Sequence, residues 1–167
     1  NKAGYRQISA MPVSDVAPGV YTGTGPFTLE LKANGNIYYT TTGDEPSTKS
    51  THYSGPITVT ENTVIRAISC EEGKLPSSIY TATYITGRDH DLPVVSLVTD
   101  PDYLWGAKGV YRNGDEDVKE IKFPANVAYA GDDGRFSIDN EMSLHGATTV
   151  IAFDKKSFTV RFKDNLD

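Results

Sequence analysis

The sequence predicts a mainly β protein, a β-sandwich followed by a second, mostly β segment. Three observations carry that expectation. Apolar and polar residues alternate in short runs, the two-residue period that sets one face of a strand against a core and the other in water. Turn formers such as Asn34-Gly35-Asn36, Thr42-Gly43-Asp44-Glu45-Pro46 and Ser54-Gly55-Pro56 break these runs, at the short intervals expected of a sandwich. Of the 18 threonines, 14 precede residue 88, and a β-branched polar side chain suits an exposed strand face.

Taken in order, Phe27, Leu29 and Leu31 alternate with Thr28, Glu30 and Lys32 and predict a strand. Asn34-Gly35-Asn36 predicts a hairpin, because Gly and Asn accept positive φ at low cost, with Ile37 to Thr41 as the returning strand. Ile57 and Val59 predict a short strand, Glu61-Asn62 a tight turn, Thr63 to Ser69 a longer strand, and Ser78 to Ile85 the last strand of this half. Thr22-Gly23-Thr24-Gly25 is glycine-rich, but no lysine follows at the spacing of a phosphate loop and no helical pattern opens there. It reads as a turn.

The second half predicts strands at Val94 to Val98, Gly109 to Arg112, Ala125 to Tyr129, Glu141 to His145 and Lys156 to Lys163. Asp100 to Trp105 predicts one or two helical turns, with Asp100 as N-cap and Pro101 at the first helical position. Between the halves, Thr86 to Pro93 is polar and ends on a proline, as a short connector does.

The net charge is −6, from 16 Lys+Arg against 22 Asp+Glu. Residues 1–87 hold 6 Lys+Arg and 7 Asp+Glu, whereas residues 88–167 hold 10 and 15, so the acidity belongs to the second half. Such a balance repels a phosphate backbone, and no nucleic-acid partner is expected. No apolar run approaches the roughly 20 residues of a membrane-crossing helix, so no membrane span is expected. The single Cys70 cannot form an internal disulfide, and it closes an apolar strand as a small buried or half-buried residue would, not as a nucleophile.

His52, His90 and His145 stand far apart and outside any HExxH pattern; the first two read as surface residues in turns. Asp115-Glu116-Asp117 and Asp132-Asp133-Gly134 lack the spaced oxygen donors of a calcium loop, and the latter reads as a solvated hairpin tip. Neither a metal site nor a catalytic residue is assigned. Two sets of side chains remain as candidates. Tyr38, Tyr53 and Trp105 could offer flat faces to a pyranose ring, although adjacent Tyr38 and Tyr39 must point to opposite sheet faces, so at least one belongs to the core. Lys155-Lys156 opens an alternating strand after the small-residue stretch His145 to Thr149. A lysine so placed either meets phosphate oxygens or guards a strand end against edge pairing.

Two resemblances cover nearly the whole chain. Residues 5–86 resemble the bacterial Ig-like module known as chitobiase/β-hexosaminidase C-terminal-like, or fibronectin-type-III-associated. The matching residues include Pro18-Gly19-Val20-Tyr21, Ile37-Tyr38-Tyr39-Thr40-Thr41, Gly43, Glu45-Pro46, Tyr53-Ser54-Gly55-Pro56-Ile57, Asn62 to Ala67, Pro76-Ser77 and Tyr84. The resemblance implies an Ig-like sandwich serving as an accessory spacer or docking module.

Residues 88–167 resemble the start of the CotH family, spore-coat-protein-H-like secreted kinases with an atypical kinase-like fold. Here the matching residues are Leu92 to Leu97, Thr99-Asp100-Pro101, Leu104-Trp105, Gly109-Val110-Tyr111, Asp133-Gly134, His145-Gly146 and Lys156-Ser157-Phe158. The resemblance implies that the family's catalytic and metal-binding aspartates lie beyond Asp167. The chain is therefore expected to be a non-catalytic part of a secreted or cell-surface bacterial protein, needing no cofactor itself. A full-length form would use ATP with Mg²⁺ or Mn²⁺, and Lys156, with Lys155 as the fallback, would contact the nucleotide phosphates. The implied partners are the remainder of the CotH-like domain and extracellular or coat proteins; polysaccharide is the partner of an alternative, carbohydrate-binding reading.

Overall fold

Leu29, Leu31, Ile37, Ile57, Val59, Ile65, Ala67, Ala82 and Tyr84 withdraw almost completely from solvent into one cluster, and the strands that carry them define the first half. The computed structural model describes residues 6–22, 25–87, 92–112, 121–131, 134–146 and 154–162. In chain order the elements of this half are β1 (Val13–Ser14), β2 (Gly19–Thr22), β3 (Phe27–Leu29), β4 (Leu31–Lys32), β5 (Asn36–Thr40), β6 (Thr51–His52), β7 (Ile57–Val59), β8 (Thr63–Cys70) and β9 (Tyr80–Gly87). A five-stranded sheet runs β2-β9-β8-β5-β6, while β1 pairs with β4 and β3 with β7. Because the two small pairs and the large sheet feed one apolar cluster, they are the two layers of an Ig-like β-sandwich.

The alternation read from the sequence holds over Phe27 to Lys32 and in β7, whereas Ile65 to Ser69 of β8 and Thr81 to Tyr84 of β9 are buried without interruption. In β7 the burial runs buried, exposed, buried over Ile57, Thr58 and Val59. Each such fully buried aliphatic side chain contributes about 1.5–3 kcal/mol. Tyr39 packs against the core and Tyr38 projects from the opposite face of β5, as adjacency requires.

One expected pairing is corrected. Asn34-Gly35-Asn36 does not close a hairpin between the strands on either side of it. β4 pairs antiparallel with β1, whereas β5 pairs with β8 and β6. The turn instead carries the chain from one layer to the other, which lets Leu31 and Ile37 enter the same core. Gly35 is required there: its φ is +81°, and a Cβ would come within 2.4 Å of the Cys70 carbonyl oxygen.

The second half contains β10 (Val94–Val98), α1 (Pro101–Trp105), β11 (Lys122–Gly131), β12 (Gly134–His145) and β13 (Ser157–Arg161), with the sheet order β10-β11-β12-β13. Its core gathers Val110, Phe123, Ala125, Met142 and Leu144, with Tyr103, Leu104, Tyr111, Phe158 and Val160 packed against them. The helix forms as its sequence specifies: Asp100 accepts a hydrogen bond from the Asp102 amide and Pro101 opens the first turn. Gly109 to Arg112 is not the expected strand. The Val110 and Tyr111 amides donate to the carbonyls of Tyr103 and Leu104 at 3.0 and 2.9 Å, folding the segment back on α1 so that Val110 reaches the core.

The chain divides into two compact units, Asn1–Val94 with Tyr129–Arg135, and Val95–Ala128 with Phe136–Asp167. No helix among the described residues is long and apolar enough to cross a membrane.

Candidate functional site

Tyr53 follows β6, and its ring meets Tyr39 edge-on at 6.3 Å. Its hydroxyl accepts a hydrogen bond from the Leu31 amide at 3.1 Å, and its own amide donates to the Ile37 carbonyl at 2.8 Å. The side chain therefore ties β4 to β5 and β6, and only part of the ring stays accessible. Tyr38 faces His52 across the β5–β6 register, with ring centroids 5.4 Å apart and planes at 70°. His52 is exposed on the edge strand, not in a turn, and its Nε2 lies 3.3 Å from Asn36 Oδ1.

Asn36, His52 and Tyr53 help line a hollow of about 330 Å³ over the β4–β5 turn. Leu31, Ile37 and Tyr53 form its floor, and Lys32, Asn36 and His52 stand at its rim. Lys32 Nζ lies 3.8 Å from Glu30 Oε2, so the rim's cation has a neighbouring carboxylate.

Other polar groups of the sandwich are committed to the fold. The buried Tyr84 hydroxyl lies 3.0 Å from both the Ser14 hydroxyl and the Val16 carbonyl. Burial raises its pKa well above the ordinary tyrosine value, against a smaller lowering by the Ser14 hydrogen bond. Arg66, only 8% exposed, donates from Nη1 to the Gly43 carbonyl at 2.8 Å and pins the turn after β5.

In the second unit, Trp105 ends α1 and is 54% exposed. It stacks on Tyr111 with centroids 4.2 Å apart and planes 16° from parallel. Lys155 is exposed and Lys156 half-buried, immediately before β13. The β12–β13 register pairs His145 with Ser157, and His145 Nδ1 lies 3.0 Å from Thr159 Oγ1. His145-Gly146 and the lysine pair thus flank one end of this strand pair. His90, Asp115, Glu116, Asp117, Asp132 and Asp133 lie outside the described residues.

Residues 16–81 match the family model of the chitobiase/beta-hexosaminidase C-terminal domain. The match covers most of the sandwich. No curated protein and no solved structure matches the chain. The family match ends at residue 81, and the comparisons lend no support to the CotH resemblance expected of residues 88–167.

The sequence singled out Tyr38 and Tyr53 without their neighbours. The sequence presents Asn36 as a turn residue and His52 as a surface histidine, yet they share the rim. The available signal was the recurrence of polar side chains beside aromatics in Asn36 to Tyr39 and Thr51 to Tyr53; nothing local paired the two segments.

Proposed function

We propose that this chain is a non-catalytic part of a secreted bacterial CotH-family protein, in which the Ig-like sandwich is an accessory spacer or docking module. The observation that carries the accessory role is the inward commitment of Tyr39, Tyr84 and Arg66. These groups, suited by type to ligand contact, instead hold strands and turns in place. The match of residues 16–81 to a chitobiase C-terminal-type domain supports the same reading.

Residues 88–167 are the leading β portion of a CotH-like, atypical kinase domain. The motifs from Leu92 to Phe158 support this, as does the meeting of His145-Gly146 with Lys155-Lys156 at one strand end. In a full-length protein Lys156, with Lys155 as the fallback, would contact the phosphates of ATP. Removal of residues 1–87 from the full-length protein tests the division of labour. Phosphoryl transfer should persist while stability or placement changes, and loss of transfer in a folded product would overturn the accessory role. Calorimetry of the 167-residue chain with ATP and Mg²⁺ should show no binding; micromolar affinity or autophosphorylation would overturn the non-catalytic reading.

A further inference from the structure

The hollow over the β4–β5 turn has the composition of a small-ligand site, with an apolar floor and a few polar groups converging from the rim. At about 330 Å³ it lies near the lower end of the roughly 300–1,000 Å³ range of such sites, enough for one small ring. Its walls are pre-set. The Tyr53 hydroxyl fixes β4 at Leu31, and Gly35 lies so close to the Cys70 carbonyl that the turn has no room to shift toward β8.

The rim favours a neutral polyhydroxylated ligand. Asn36 and His52 are hydrogen-bonding side chains held together at 3.3 Å. With imidazole Nε2 directed at Asn36 Oδ1, the amide nitrogen retains donors and imidazole Nδ1 an acceptor position. Neighbouring sugar hydroxyls both donate and accept, and so need that combination. The nearby cation of Lys32 faces the Glu30 carboxylate, which reduces the attraction for a free anion. The partly exposed ring of Tyr53 offers an apolar surface to the C–H face of a pyranose.

We propose that this hollow binds a single neutral pyranose unit of a polysaccharide, with Asn36 and His52 holding its hydroxyls and Tyr53 beneath its ring. Tyr38 is a positioning residue, keeping the His52 imidazole upright by its edge-on contact. The site extends the docking role of the sandwich and is independent of the CotH-like reading of residues 88–167.

The test is an amide-shift titration of the full 167-residue chain with the trisaccharides of β-1,4-linked N-acetylglucosamine, glucose and xylose, each to about 10 mM. At least one should shift resonances of residues 31–37 and 52–53, with Asn36→Ala and His52→Ala each weakening binding by about fivefold or more. Tyr38→Ala should weaken it as well, and Tyr38→Phe should restore it. Both rim side chains are exposed, so their variants keep the fold, as an otherwise unchanged spectrum will verify. No shift with any of the three sugars, shifts elsewhere only, undiminished binding by the rim variants, or a response to inorganic phosphate in place of the sugars would each overturn the proposal. These outcomes leave the kinase-domain reading untouched, since it is tested by ATP.

Discussion

The Tyr53 hydroxyl accepts the Leu31 amide across 22 residues of sequence, converting a tyrosine suited to ligand contact into a structural tie between two layers. The same residue keeps part of its ring at the floor of the hollow. Tyr53→Phe retains the ring and its contact with Tyr39 but leaves the amide of buried Leu31 without this acceptor. A loss of about 1–2 kcal/mol is expected in urea unfolding. An unchanged midpoint would show that the tie contributes nothing.

Gly35 provides a sharper test of the same region. Its φ of +81° and the 2.4 Å approach of a would-be Cβ to the Cys70 carbonyl oxygen leave no relaxed position for alanine. Gly35→Ala should cost about 2–3 kcal/mol. Gly55→Ala, where nothing lies within 4 Å of the added atom and φ is not positive, should be nearly neutral. Equal unfolding midpoints for the two variants would refute this account of the crossover turn.

High pH should probe Tyr84. Burial raises its pKa in the folded state, so the stabilising protonated form is fully favoured below pH 10, where the unfolded tyrosine begins to ionise. As pH rises from there toward the folded value, that contribution is lost. Tyr84→Phe should be less stable at neutral pH by about 1 kcal/mol, and the gap from the natural chain should narrow above pH 10. A gap that widens with alkali has the wrong sign.

Low pH should probe Glu71. Its carboxylate accepts hydrogen bonds from Lys74 Nζ at 2.6 Å and from the Ala10 amide at 3.2 Å, and the Lys74 bond is the larger cause holding its pKa below the ordinary 4.5. A depressed folded value means that the stabilisation is present above the unfolded value and disappears as pH falls through the folded one. The natural chain should therefore exceed Glu71→Gln in stability at neutral pH, and the difference should vanish as the buffer is taken well below 4.5. A difference that stays constant through acid would assign the effect to something other than charge.

Much of the fold was legible because strand alternation and turn chemistry are local. Ile57-Thr58-Val59 declares a half-buried strand in three residues, and Asp100-Pro101 declares the start of α1. The strand predicted at Gly109 to Arg112 failed for an equally physical reason. Its amides found carbonyls in α1, and no short-range pattern distinguishes that from a ladder. At the site, Tyr38 and Tyr53 were visible as aromatics near turns. Their roles came from partners that the sequence left unspecified, His52 across the β5–β6 register and Leu31 across the sandwich.

The sequence by itself determined a mainly β chain, the residues of most strands, the helix cap and the family likeness of residues 16–81. Only the tertiary structure decided that β5 joins β8 and β6 instead of β4, that β2 runs parallel to β9 with Gly19 beside Tyr84, and that Asn36 meets His52. The physical reason is that alternation tells each side chain which face to take, whereas the choice of neighbouring strand depends on how distant apolar faces pack into one core.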